Sequence, residues 1–184
     1  MEFIYECENF LPYDFCKHVI DKFEKNKHQH KHGLTLGGNS DMKKSTDLCM
    51  NILNWENERN KFKDYTFSAI KKYVQYLNDK IDVDYRPLFE NFNITFPQIQ
   101  KTRKGEYYKW HIDGNLDPNQ RIASIIYYLN DVEEKYGGAT EFKGTKVQPN
   151  TGKLLIFPST WTYTHSGQEL HDGNKYIVTM FITT

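Results

Sequence analysis

Arg121–Asn130, RIASIIYYLN, is the stretch that sets the architecture. It is short and dense in β-branched and aromatic residues, so it reads as a strand. At period two, Ser124, Ile126 and Tyr128 share one face and Tyr127 points the other way. Two further strands follow, TGKLLIFPS (151–159) and NKYIVTMFITT (174–184), with turn signals at Gly137-Gly138, Pro149-Asn150 and Gly173-Asn174. Upstream, NFNITFPQIQ (91–100) also alternates, and Pro97 requires an edge or a bulge there.

Before residue 91 the period is helical. In FCKHVIDKF (15–23), Phe15, Val19, Ile20 and Phe23 fall on one face, with Asp14 as the cap. A second helix is expected from about Trp55 to Asn78, burying Phe62, Phe67, Ile70, Tyr73, Val74 and Leu77. KNKHQHKHGLTLGGNSDMKKS (25–45) reads as a long polar loop. Helices followed by many short strands give an α+β chain, mainly β: a sandwich or barrel with supporting helices. A single domain is expected over 1–184, with helical support in 1–90 and the core in 91–184.

The 24 Lys plus Arg residues balance 24 Asp plus Glu, so no global field draws the chain to nucleic acid. Cys7, Cys16 and Cys49 share no CxxC spacing, which argues for a reduced, intracellular and cytoplasmic protein. The N-terminal MEFIYECENF has acidic residues and no apolar run, unlike a signal peptide, and no stretch is apolar for long enough to span a bilayer.

The chemistry concentrates in YYKWHIDGNL (107–116). His111 and Asp113 lie two apart, so on a strand both can face one ion. One more histidine completes a two-His, one-carboxylate triad, the donor set that holds Fe(II) with open positions for oxygen chemistry. The HxD pattern alone equally fits a core or surface histidine. His165, just past the strand LLIFP, and His171, in a polar turn, are both available; the rigid support favours His165. The run His28, His30, His32 reads as a flexible charged loop, although it would bind metal if extended.

Five ordered segments resemble the iron- and 2-oxoglutarate-dependent dioxygenases, and within them the prolyl 4-hydroxylases and oxygen-sensing prolyl hydroxylases. They are KGEYYKWHIDG, RIASIIYYLND, GGATEF, GKLLIFPS and HSGQELHDGNKY. NFLPYDFCKHVI looks like that family's first helix. The resemblance implies a double-stranded β-helix, or jelly roll, and a hydroxylase of a prolyl residue in a peptide or protein. A free amino acid or small metabolite as substrate, and a non-catalytic jelly-roll module, are the alternatives. It implies that His111, Asp113 and His165 bind Fe(II), that 2-oxoglutarate chelates the metal, and that Lys175, ten residues past His165, meets its far carboxylate. Thr179, on the Lys175 face, and Tyr128 or Tyr108 are expected to help hold the co-substrate. Arg121 and Trp110 are placed near the substrate, and ascorbate is a possible reductant. Thr102 stands where relatives often carry a co-substrate tyrosine. The Gly-bearing loop from about Lys31 to Asp47 is a candidate lid. A zinc hydrolase using the same ligands would need a general base, for which Glu106 and Asp117 make no clear case.

Overall fold

The computed structural model describes residues 2–35, 41–114 and 120–184. Gly37 and Gly38 of the expected lid, and Asp117, lie outside the described residues. The strands are β1 (Tyr5–Cys7), β2 (Lys31–His32), β3 (Thr46–Cys49), β4 (Asn93–Ile94), β5 (Gln98–Arg103), β6 (Tyr108–His111), β7 (Arg121–Tyr128), β8 (Thr140–Phe142), β9 (Thr145–Val147), β10 (Leu154–Pro158), β11 (His165–Gly167) and β12 (Asn174–Thr183). The helices are α1 (Tyr13–Lys25) and α2 (Glu56–Lys80).

Among the described residues the strands form two antiparallel sheets. The larger runs β1-β10-β7-β12-β5-β3-β2, with β4 also on β12; the smaller runs β6-β11-β8-β9. Side chains of both sheets line one cavity between them. This is the expected jelly roll, mainly β with two α-helices.

Alternation sorts the layers. On β7, Ile125 and Tyr127 join the core beneath the helices, while Ile126 and Tyr128 join the smaller interior cluster. On β10, Leu154 and Ile156 take the helix side and Leu155 and Phe157 the interior. Strands covered on both faces need apolar residues at every position, hence LLIF. On β12, Val178, Met180 and Ile182 pack under the helices, and Lys175, Ile177 and Thr179 face the cavity.

Both helices lie on the outer face of the larger sheet. α1 buries Phe15, Cys16, Val19 and Phe23, and Ile20 is only half-buried. Pro12, not Asp14, takes the cap position; Asp14 sits in the first turn, where its charge favours the helix dipole. α2 buries Phe62, Thr66, Ala69, Ile70, Tyr73 and Leu77. Phe67 departs from the expected stripe: it is 40% exposed and packs beside Phe92. It follows Thr66, which takes the inward position and accepts from the Tyr127 hydroxyl at 2.9 Å.

The described residues of the polar stretch after α1 are ordered against the fold. His30 stacks on Phe23 with ring centroids 3.9 Å apart, and its Nε2 lies 2.9 Å from the Phe23 carbonyl, so the His28–His32 run is not a free loop. β2 pairs with β3, and β3 with β5. The N-terminal half therefore contributes strands β1 to β3 as well as helices. Pro97 falls just before β5, where its missing N–H breaks no ladder bond. Among the described residues no helix is long and apolar enough to cross a membrane.

Candidate functional site

β6 and β11 are antiparallel neighbours, and His111 lies directly opposite His165. That register brings together two histidines 54 positions apart in sequence. Their ring centroids are 4.2 Å apart. Asp113 stands just past β6, its Oδ1 3.5 Å from His111 Nε2 and its Oδ2 3.5 Å from His165 Nε2. One ligand atom from each residue lies within 4.8 Å of the others, and this is the His/Cys/Asp/Glu group of metal-binding geometry among the described residues.

The tautomers follow from the backbone. His111 Nδ1 donates to the Lys109 carbonyl at 2.7 Å, and His165 Nδ1 to the Tyr163 carbonyl at 3.0 Å. Each ring spends its proton on a carbonyl two residues earlier, leaving both Nε2 lone pairs turned towards the Asp113 oxygens. Lone pairs facing lone pairs repel, and a cation among them relieves that. Burial lowers the His165 pKa, its nearness to His111 lowers it further, and Asp113 only partly opposes this, so the ring is neutral at neutral pH. Burial opposes ionisation of Asp113, but hydrogen bonding and charge from the two rings while they are still protonated, with the Ser124 hydrogen bond, outweigh it and bring the carboxyl down to about 2. Two imidazole nitrogens and one carboxylate fit Fe(II). His171 is exposed and stands apart from the group.

The cavity beside the triad is about 440 Å³. Lys175 projects into it, 4% exposed, with its Nζ 2.7 Å from the Gly138 carbonyl. Burial pulls the ammonium down to about 8. Gly137 and Gly138 both adopt positive φ, which lets the hairpin turn that carbonyl inwards. Thr102, opposite Lys175 on β5, lines the same wall.

Thr179 lines the cavity and accepts from Gln100 Nε2 at 2.9 Å. Tyr108 lines it too, its ring stacked on His111 at 3.5 Å, and burial followed by the Asp113 charge pushes its phenol up to about 12. Tyr128 does not reach the cavity wall: its hydroxyl donates to Thr140 Oγ1 at 2.7 Å, and Thr140 is the residue that lines it. Arg121 lies at the wall, donating to the Asp113 backbone carbonyl at 3.1 Å and stacking on Phe181. Trp110 is not in the lining; it is 38% exposed, with Lys143 Nζ 3.9 Å from its ring centroid. Glu106 is held by the Arg103 N–H at 2.7 Å and offers no base to the triad.

Sequence reasoning missed a polar wall on the N-terminal side. Lys43 Nζ is 2.6 Å from Asp47 Oδ2, and Asp47 also accepts from Ser45 and Gln98, each at 2.7 Å. Gln98, Gln100 and Thr102 alternate on β5 with Ile99, and that period-two polar face was the readable signal. Leu34, Thr35, Met42 and Lys44 extend the lining, so the described ends of the expected lid do border the cavity.

The family model described as 2OG-Fe(II) oxygenase superfamily matches residues 97–183. That segment, just under half of the chain, is similar to the superfamily, and the match supports a 2-oxoglutarate- and Fe(II)-dependent dioxygenase. No curated protein matches the sequence. Solved structures are similar over nearly the whole chain. The viral collagen prolyl hydroxylase of Paramecium bursaria Chlorella virus-1, solved with 2OG, has 22% identity and a TM-score of 0.71, over 99% of this chain and 96% of that one. A Trichoplax adhaerens prolyl hydroxylase in complex with a hypoxia inducible factor peptide fragment has 16% identity and a TM-score of 0.72, over 100% and 84%. A Pseudomonas putida prolyl-4-hydroxylase has 16% identity and a TM-score of 0.68, over 100% and 93%. At these identities the likeness is one of fold.

Proposed function

We propose that this oxygenase hydroxylates a prolyl residue within a peptide or protein, and that His111, Asp113 and His165 hold its Fe(II). The observation that carries the metal assignment is the pair of Nε2 lone pairs turned onto the Asp113 carboxylate by two backbone carbonyls. Bound Fe(II) and 2-oxoglutarate supply the chemistry: oxygen is consumed, 2-oxoglutarate becomes succinate and carbon dioxide, and one oxygen atom enters a C–H bond.

The chain's own residues bind and orient. Lys175 meets the far carboxylate of 2-oxoglutarate; a buried ammonium with one carbonyl partner gains most from an arriving anion. Thr140 and Thr179 donate beside it. Each already accepts from a neighbour, Tyr128 or Gln100, which leaves its own hydroxyl hydrogen for the ligand. Tyr108 walls the metal side, and Thr102 takes the place of the usual co-substrate tyrosine. Arg121 lies where a substrate over the metal would pass, and Trp110 belongs to the outer surface. The three free cysteines suit the reducing interior of a cell.

A peptide substrate is favoured because prolyl hydroxylases named for collagen, and one bound to a hypoxia inducible factor peptide, share this fold. The test is incubation with Fe(II), 2-oxoglutarate and oxygen together with a Pro-Pro-Gly repeat peptide or free L-proline. The expected result is a peptide heavier by one oxygen atom, with succinate formed in step. Oxidation of free proline with the peptide untouched would overturn the peptide reading.

A further inference from the structure

Two buried hydroxyls stand in series behind Asp113. Ser124 Oγ donates to Asp113 Oδ2 at 2.7 Å, and Ser159 Oγ lies 2.7 Å from Ser124 Oγ. A hydroxyl carries one hydrogen, and Ser124 has given its own to the carboxylate, so Ser159 is the donor to Ser124. Each serine is 1% exposed, too deep for water to supply those bonds.

Ser159 grips the same corner a second time. Its backbone carbonyl accepts the Gly114 N–H at 2.7 Å. A Cβ on Gly114 would lie 2.6 Å from that oxygen, so only glycine permits the approach. The segment after β10 thus holds the main chain at Gly114 directly and the Asp113 side chain through β7.

The two Asp113 oxygens are not equivalent. Oδ1 faces His111 Nε2, whereas Oδ2 faces His165 Nε2 and also accepts from Ser124. An oxygen already bound to a donor has less electron density for a cation. It is also fixed in direction, which the bond from Ser159 reinforces.

We propose that Ser159 and Ser124 form a hydroxyl relay that presents Asp113 to the metal through Oδ1 alone. A carboxylate gripping the ion through both oxygens would occupy a position the co-substrate or oxygen needs. The two serines are positioning residues. The inference rests on the iron-site reading above.

The test measures metal binding, not turnover. Metal-free protein is titrated with Mn(II), with free ion followed by electron paramagnetic resonance, in the wild type and in Ser124→Ala, Ser124→Thr and Ser159→Ala. Ser124→Ala is expected to bind about tenfold or more weakly, the usual effect of losing a partner behind a ligand. Ser159→Ala is expected to lose less, and Ser124→Thr, which keeps the hydroxyl, to stay near the wild type. Melting of the metal-free proteins checks folding. If Ser124→Ala does not fold, Ser159→Ala decides, because its side chain touches Ser124 and not the carboxylate. Wild-type Mn(II) affinity in the folded alanine variants overturns the relay. A wild type that holds no Mn(II) overturns the metal site and the relay with it, a result distinct from variants that match a binding wild type.

Discussion

Lys175 is buried at a cost, and that makes it the sharpest single-residue test. Burial brings its pKa from the ordinary 10.5 down to about 8, a penalty on the order of 3 kcal/mol for the charged form. Lys175→Met is therefore expected to weaken 2-oxoglutarate binding severely and to raise the melting temperature of the ligand-free protein. A lower melting temperature, by calorimetry, would contradict the account of a strained ammonium. The pH dependence has opposite signs for the two properties. Between about 8 and 10.5 the unfolded chain binds more protons at this position than the folded one, so its contribution to stability improves as pH rises. Over the same window the anion loses its cation, and the 2-oxoglutarate dissociation constant, by isothermal titration, should climb with pH above about 8. At this scale the sequence was informative where a pattern was local. His111 and Asp113 share a dipeptide spacing, and Lys175 is a lone cation in an apolar run. Ser124, Ser159 and Thr140 were silent because their roles come from hydrogen bonds to residues 11 to 35 positions away.

Among the elements, period two in RIASIIYYLN and NKYIVTMF separated the helix-facing from the interior-facing residues as the fold does. The helical stripes were read less well. A helix surface offers several faces of similar hydrophobicity, and Phe67 was assigned inward when Thr66 holds that place by bonding Tyr127. α2 supports the sheet through Phe62, which is 0% exposed and 5.4 Å from the Tyr127 ring. Phe62→Ala is expected to cost roughly 3–5 kcal/mol, measured by urea unfolding. Mn(II) affinity should hold, because the triad lies on the opposite side of β7. Gly114→Ala should do the reverse. Its Cβ would collide with the Ser159 carbonyl, so metal affinity should fall more than stability.

For the molecule as a whole, the N-terminal half is part of the barrel wall. β3 adds to the larger sheet beside β5, while the Lys44 N–H donates to the Tyr107 carbonyl and the Lys109 N–H to the Met42 carbonyl. The stretch 42–47 thus joins both sheets across one side of the cavity, with Lys43 and Asp47 paired at its root. That closure was unreadable from KNKHQHKHGLTLGGNSDMKKS, where polar composition argued for a loop. The partners that order it, Tyr107, Gln98 and β5, lie more than fifty residues on. Asp47→Ala leaves the Lys43 ammonium buried and unpaired. It is expected to cost roughly 3–5 kcal/mol by urea unfolding. A change below about 1 kcal/mol, the range of an exposed pair, would show that the wall is not closed in this way.

The central claim is that three side chains hold Fe(II) and a buried lysine completes the seat for 2-oxoglutarate. Anaerobic addition of Fe(II) and then 2-oxoglutarate to the metal-free protein tests it most directly, through the visible charge-transfer band of a keto acid chelated to iron. The band should appear in the wild type, be absent in His111→Ala, and need much more 2-oxoglutarate in Lys175→Met. A folded wild type that holds Fe(II) and shows no band would contradict it.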